Sequence, residues 1–137
     1  MHIFFDSSAF IKRYINESGT ETVINWCNRA TALSLSGIAL PEIISAFCRL
    51  HREKNISAEQ YRKLKTTLLA DLEDIAVCDL TPRVLHQAIV SLEKNVLRGM
   101  DAIHIGSAVM LKVDQFVSAD QRQCEAAVQA GLQVVMV

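Results

Sequence analysis

The alternation of short apolar segments with longer helical patterns is the feature that most constrains the fold. Strand-forming residues dominate five apolar runs, at positions 2–5, 32–36, 75–78, 115–118 and 133–137. Segments with helical periodicity separate these runs. Parallel strands need long crossover connections, which are usually helices. The alternation therefore predicts an α/β fold with a mainly parallel central sheet and helices on both of its faces.

Local signals mark several helix boundaries. Ser57–Gln60 is an S-x-x-Q capping box that predicts a helix running to about Asp74. Pro41 is expected at the start of another helix, where its missing N–H removes no hydrogen bond. Gly131 is a typical residue just beyond a helix end, so the last helix should finish at Ala130.

One predicted helix is apolar almost all round, from Ala102 to Leu111. This pattern is typical of a helix buried inside a domain. Asp101 nevertheless lies in its first turn, and a buried carboxylate is rare unless it is capped, paired or bound to a cation. The simplest interpretation is an interaction with the free N–H groups and the dipole at the helix start.

Composition limits the classes of function. The chain has 137 residues, 14 of them basic and 15 acidic, and a net charge of −1. It therefore has no global positive field, and any binding of nucleic acid must rely on a local patch. No apolar run approaches the roughly 20 residues that span a bilayer. The first residues lack a basic region and a cleavage site, so we expect no signal peptide. One domain over residues 1–137 is predicted.

The four cysteines are Cys27, Cys48, Cys78 and Cys124. They lie far apart and form no C-x-x-C pair, which argues against a zinc site or a redox motif. Each has apolar neighbours and is interpreted as a reduced core residue. Reduced cysteines are typical of a cytoplasmic protein.

Four acidic residues stand where strands should end or helices begin. Asp6 ends the first strand, Glu42 and Asp101 open helices, and Asp120 follows the fourth strand. Ligands of open α/β sheets bind beyond the carboxyl ends of the strands. Carboxylates that converge there repel one another unless a divalent cation lies among them, and an all-oxygen set selects Mg²⁺ or Mn²⁺. Two such ions can support phosphodiester cleavage. The alternative is that each acid only caps a helix.

These motifs resemble those of PIN-domain proteins, especially the VapC-like toxins of bacterial toxin–antitoxin pairs. The segment Phe5–Tyr14 is similar to the opening of the family. Three later segments resemble its other acidic motifs in the right order: Leu40–Glu42, Asp101–His104 and Phe116–Asp120. The resemblance covers essentially the full chain and implies a PIN-like three-layer α/β/α sandwich.

The resemblance also implies an activity, that of an endoribonuclease dependent on Mg²⁺ or Mn²⁺. The catalytic residues would be Asp6, Glu42, Asp101 and Asp120. Asp6, Asp101 and Asp120 would bind metal, whereas Glu42 would either complete the cluster or orient the attacking water. The implied partners are an RNA substrate, a small cognate antitoxin and a second copy of the chain in a homodimer.

Three further residues have open roles. Ser8 is expected to hydrogen-bond either a metal-bound water or the carboxylate of Asp6, or only to start a helix. Many relatives have Thr at position 118, and Ser118 keeps the hydroxyl as a supporting group. His104 shares a helix face with Asp101. A hydrogen-bonded interior histidine is favoured there over a catalytic one.

Two other functions fit parts of the pattern. The first is a PIN-domain nuclease that processes RNA and has no antitoxin. The second is a receiver-like signalling domain, which also has an acidic Mg²⁺ pocket. A receiver needs a phospho-accepting Asp after its middle strand and a Lys near its last strand. Asp79 is a poor candidate for the first, and residues 133–137 contain no Lys. A neighbouring antitoxin gene would distinguish a toxin from a processing enzyme.

Overall fold

Five parallel strands form the centre of the computed structural model, which describes residues 1–137. The strands are β1 (His2–Phe5), β2 (Ala32–Ser36), β3 (Ala76–Cys78), β4 (Gln115–Ser118) and β5 (Val134–Met136). Their order in the sheet is β3-β2-β1-β4-β5, and every neighbouring pair is parallel. The chain therefore builds one half of the sheet outward from β1 and then returns to β4 on its other side. Ligand crevices of open α/β sheets lie at this kind of reversal.

Seven α-helices connect and cover the strands. They are α1 (Ser7–Phe10), α2 (Thr20–Arg29), α3 (Ala39–Arg52), α4 (Ala58–Asp71), α5 (Pro82–Lys94), α6 (Gly99–Leu111) and α7 (Gln121–Gln129). Single 3-10 turns follow α1 and α4, at Ile11–Arg13 and Leu72–Asp74. None of these helices has the length and apolar character needed to cross a membrane.

The sheet separates two hydrophobic cores. Successive side chains of a strand point to opposite faces of the sheet, so β1 contributes side chains to both cores. Ile3 and Phe5 belong to the larger core, which α1, α2, α3 and α4 cover. Phe4 stacks on Phe116 in the smaller core, against α6 and α7. The predicted three-layer α/β/α sandwich with a parallel sheet is confirmed.

Most predicted boundaries agree with the structure. Both hydrogen bonds of the capping box in Ser57–Gln60 are present, and Gly131 has a φ of +89° just beyond α7. However, α3 begins at Ala39, so Pro41 is its third residue. That position also costs no hydrogen bond, because the first four N–H groups of a helix have no partner within it. The helix that was predicted to run to about Asp74 is α-helical up to Asp71, and the 3-10 turn Leu72–Asp74 continues it.

The four cysteines are free thiols. Cys27 and Cys124 are buried, which confirms their interpretation as core residues. Cys48 and Cys78 are only partly buried.

Helix α6 is buried because other elements contact it on several sides. It packs against α5, α7 and β2, and Ala102, Ile105 and Ala108 are fully buried. The predicted buried helix is therefore confirmed. Gly106 allows α5 to approach closely, because a Cβ at this position would lie 2.5 Å from the carbonyl oxygen of Val84.

We expect Gly106→Ala to destabilise the fold. The new methyl group would meet the backbone of α5, which cannot move aside without separating the two helices. Overpacking of this kind typically costs about 1–3 kcal/mol in the free energy of unfolding. Urea unfolding would measure the difference. Gly99→Ala is the matched control, because a Cβ there meets no atom within 4 Å. Equal stability of the Gly106 variant and the parent would contradict the proposed close approach.

Candidate active site

The predicted acidic residues lie around the carboxyl ends of the central strands. Asp6 follows β1 and Asp120 follows β4, and these two strands are neighbours in the sheet. Glu42 lies in the first turn of α3, and Asp101 lies in the first turn of α6. The four residues therefore share the edge of the sheet at which the strand order reverses, and together they are called the acidic edge.

Asp6 is a buried carboxylate held by neutral hydrogen-bond donors. Its exposed fraction is 3 %. Oδ1 accepts hydrogen bonds from the Ser8 hydroxyl at 2.7 Å and the Ala9 N–H at 3.0 Å, and Oδ2 accepts one from the Ser118 hydroxyl at 2.5 Å. Burial raises the pKa of Asp6 above its usual value, although the charge of His104 and these hydrogen bonds act in the opposite direction. No cationic side chain bonds to this carboxylate directly.

The two serines around Asp6 also join the ends of β1 and β4. The Ser8 hydroxyl accepts a hydrogen bond from the Ala119 N–H, and the Ser118 hydroxyl accepts one from the Asp120 N–H, both at 3.0 Å. Of the alternatives for Ser8, the structure contains the hydrogen bond to Asp6. The backbone that carries Asp120 is therefore tied to the same two hydroxyls that hold Asp6.

Glu42 is half-buried and accepts two hydrogen bonds at one oxygen. The Ser7 hydroxyl donates to Oε1 at 2.7 Å, and Nε2 of His104 lies 2.6 Å from the same oxygen. Burial alone would raise the pKa of Glu42, but the hydrogen bonds from His104 and Ser7 outweigh it and lower the pKa. Glu42 is therefore held in its ionised form.

His104 has the hydrogen-bonded interior position that the sequence favoured. Its exposed fraction is 2 %. Its partner, however, is an acidic residue of the candidate site, and sequence reasoning missed this contact as well as the role of Ser7. The only signal in the sequence was the three-residue spacing from Asp101 to His104, which places both on one helix face.

Asp101 and Asp120 are partly buried, and each interacts near the start of its own helix. Asp101 forms an ion pair with the exposed Arg98 side chain at 3.4 Å. Asp120 caps α7, because its Oδ1 accepts hydrogen bonds from the N–H groups of Arg122 and Gln123. Asp6 caps α1 in the same way through Ala9. The capping interpretation thus holds for Asp6 and Asp120, and both also belong to the acidic edge.

Two adjoining cavities connect Glu42, Asp101 and Asp120. The first, of about 700 Å³, is lined by Glu42, Asp101 and apolar side chains of α5. The second, of about 760 Å³, is lined by Asp101, Asp120 and Arg122 among others. Both include Arg98. Asp101 is therefore the acidic residue that the two cavities share.

The chemistry of the acidic edge suits a hard cation. Glu42 Oε2, Asp101 Oδ1 and Asp120 Oδ2 accept no hydrogen bond from the protein. Free carboxylate oxygens are the ligands that Mg²⁺ and Mn²⁺ prefer. No group of three or more His, Cys, Asp or Glu side chains is arranged closely enough to hold an ion. The residue types fit the metal, and the assignment of its ligands stays a prediction.

Comparison with known proteins identifies the family. The model of the PIN domain matches residues 3–129. The chain belongs to the PIN-domain family.

Relatives of this PIN domain include ribonucleases and toxins. The chain is 28 % identical over 138 residues to Ribonuclease VapC45 of Mycobacterium tuberculosis (strain CDC 1551 / Oshkosh), covering 96 % of this chain and 93 % of the relative. Its fold is similar to that of M. tuberculosis VapC20, a Sarcin-Ricin loop cleaving toxin, with a TM-score of 0.70, 16 % identity and coverage of 98 % and 99 %. A toxin–antitoxin complex from Klebsiella pneumoniae matches with a TM-score of 0.71, 12 % identity and coverage of 98 % and 96 %.

We expect Ser118→Ala to destabilise this PIN domain. The substitution leaves Oδ2 of the buried Asp6 without a donor, and hydrogen bonds to charged groups contribute about 1.5–3 kcal/mol. Urea unfolding in metal-free buffer would measure the loss. Ser36→Ala is the matched control, since this buried serine accepts only one backbone N–H, at 3.3 Å, and should contribute at most about 1 kcal/mol. Equal losses in the two variants would contradict a special role for the bond to Asp6.

Proposed function

We propose that this protein is an endoribonuclease that depends on Mg²⁺ or Mn²⁺, and that it is the toxin of a toxin–antitoxin pair. The observation that carries the proposal is the acidic edge itself. A buried carboxylate without a cationic partner, Asp6, lies at the strand-order reversal, and Glu42, Asp101 and Asp120 lie at the same edge of the sheet. The family membership and the ribonuclease name of a relative that spans nearly the whole chain support this function.

The acidic residues have distinct proposed roles. Asp6, Asp101 and Asp120 would hold the metal ion, directly or through water. A bound ion lowers the pKa of water and neutralises charge on the scissile phosphate. Glu42 is ionised and keeps Oε2 free of protein hydrogen bonds, so it either completes the ligand set or orients the attacking water.

Arg98 and Arg122 supply the local positive charge that RNA binding requires. Both line the cavity that contains Asp101 and Asp120. Arginine side chains beside a cleavage site contact phosphate oxygens and so fix the register of the nucleic acid. They are the two cationic side chains of a cavity that Asp101, Asp120 and Glu125 otherwise make acidic.

The proposed partners follow from the family and from the charge of the site. Solved structures with the same fold include toxin–antitoxin complexes. An acidic cavity suits an Arg or Lys side chain of a small antitoxin. We further propose a homodimer, and a cytoplasmic location that agrees with four free cysteines.

We expect RNA cleavage by the purified protein to stop in EDTA and to return when Mg²⁺ or Mn²⁺ is added, because the proposed ligands are all carboxylates. Asp6→Asn and Asp101→Asn should each remove nearly all cleavage. Gel analysis of total RNA would measure the activity.

Asp74→Asn is the matched control for these variants. Asp74 is exposed and precedes β3, so it lies at the opposite edge of the sheet. Its substitution should leave cleavage and metal dependence unchanged. Full cleavage in metal-free buffer, or an active Asp6→Asn variant, would refute the proposed function.

We expect the small protein encoded beside this gene to form a stable complex with the chain and to inhibit its cleavage of RNA. Co-purification, light scattering of the free and bound protein, and the RNA assay would measure this. The free protein should scatter as a dimer. An active nuclease that no neighbouring gene product binds would instead support the RNA-processing alternative.

A further inference from the structure

The ring of His104 is fixed by its surroundings. It is almost fully buried on α6, and it packs edge-on against Phe4 of β1, with ring centroids 6.4 Å apart and planes at 73°. Phe4 is itself stacked on Phe116 within the smaller core. A buried ring held by a packed core has little freedom to turn, so its nitrogen atoms occupy defined positions.

The partners of the ring determine which nitrogen donates. Glu42 Oε1 lies 2.6 Å from Nε2, and an ionised carboxylate can only accept hydrogen bonds. The Ser7 hydroxyl uses its single hydrogen to bond the same oxygen. Nε2 must therefore carry the hydrogen and donate it to Glu42. Nδ1 is buried without a partner, so the contact at Nε2 is the hydrogen bond that fixes the ring.

Glu42 needs such restraint because its surroundings do not confine its side chain by packing alone. Its side chain is 32 % exposed and lines a cavity. A glutamate side chain has three rotatable bonds, and fixing it costs rotamer entropy. Two donors on Oε1 oppose this freedom, and they leave Oε2 free of protein hydrogen bonds.

We propose that His104 and Ser7 are positioning residues that fix the carboxylate of Glu42 for phosphodiester cleavage. The inference rests on the proposed nuclease function and assigns two residues that act through Glu42 rather than on RNA. Their places in the chain explain the pairing. Ser7 starts the helix that follows Asp6, and His104 lies one turn after Asp101. The segments that carry Asp6 and Asp101 therefore each bring a hydrogen-bond donor to Glu42 as well.

The test separates the donated hydrogen bond from the volume of the ring. His104→Leu removes the donor and keeps a buried apolar side chain. His104→Gln keeps an N–H donor near the position of Nε2. With Mg²⁺ saturating, we expect His104→Leu to lower kcat by about 10- to 100-fold, the usual effect of losing a group that orients a metal-site residue. The KM for RNA should change little, and His104→Gln should recover most of the loss.

A second readout does not depend on activity. In metal-free protein with ¹⁵N-labelled histidine, the Nε2–H of His104 should give a downfield proton resonance that exchanges slowly. Glu42→Ala should move this resonance upfield. An unchanged resonance would show that the contact with Glu42 is absent in solution, and it would overturn the inference.

His2→Leu is the matched control. His2 is a partly buried histidine whose Nε2 lies 2.9 Å from the Ser34 hydroxyl, at the opposite end of β1. This variant should keep the parent's kcat. Equal losses in the His2 and His104 variants, equal losses in His104→Leu and His104→Gln, or a fully active His104→Leu would each overturn the inference.

Variants of Ser7, Asp6 and Glu42 complete the test. If His104→Leu does not fold, Ser7→Ala carries the same test, with Ser7→Thr as the variant that restores the hydroxyl. An active Asp6→Asn would reject the nuclease site as a whole. Inactive Asp6→Asn and Glu42→Ala variants beside a fully active His104→Leu would reject the positioning role alone.

Discussion

The burial of the Asp6 carboxylate is the interaction on which the arrangement of the candidate site depends. A buried charge is tolerated only when hydrogen bonds replace the water that it has lost. Here the donors are the backbone N–H of Ala9 and the hydroxyls of Ser8 and Ser118. Ser118 comes from the neighbouring strand, so satisfying this one charge also aligns the carboxyl ends of β1 and β4. The same serine accepts the N–H of Asp120, and the position of that acid is thereby coupled to Asp6.

Helix α6 provides the second constraint. It lies in a buried layer against β2, α5 and α7, and Gly106 permits the close approach of the α5 backbone. The first turn of α6 therefore lies at the same edge of the sheet as Asp6. Asp101 and His104 both lie near the start of this helix. Asp101 lines the cavity, and His104 contacts Glu42. The packing of this helix therefore positions an open carboxylate and a buried donor together.

The sequence predicted the fold well because the relevant signals are local. Apolar runs located the strands at 2–5, 32–36 and 115–118 with the observed bounds, and side-chain caps located helix starts such as Ser57. The acidic residues were found in the same way, since each follows a strand or opens a helix. The hydrogen bonds of Ser7 and His104 to Glu42 were not predicted, because they join residues 35 and 62 positions apart in the chain. Such pairings follow from tertiary packing, which local periodicity does not encode.

The acids also did not converge as the simple pattern suggested, and electrostatics explains why. Like charges in contact repel, so each acid of a stable fold has compensating contacts of its own. Asp120 interacts with the N–H groups at the start of α7, and Asp101 interacts with Arg98 and lies at the start of α6. Helix N-termini stabilise a nearby carboxylate by about 0.3–1 kcal/mol each. Asp6 and Glu42 are instead held by serine hydroxyls, a backbone N–H and the ring of His104. The acidic edge thus combines Asp6 and Glu42, which hydrogen bonds from other segments hold in place, with Asp101 and Asp120, which each retain an oxygen without a protein donor.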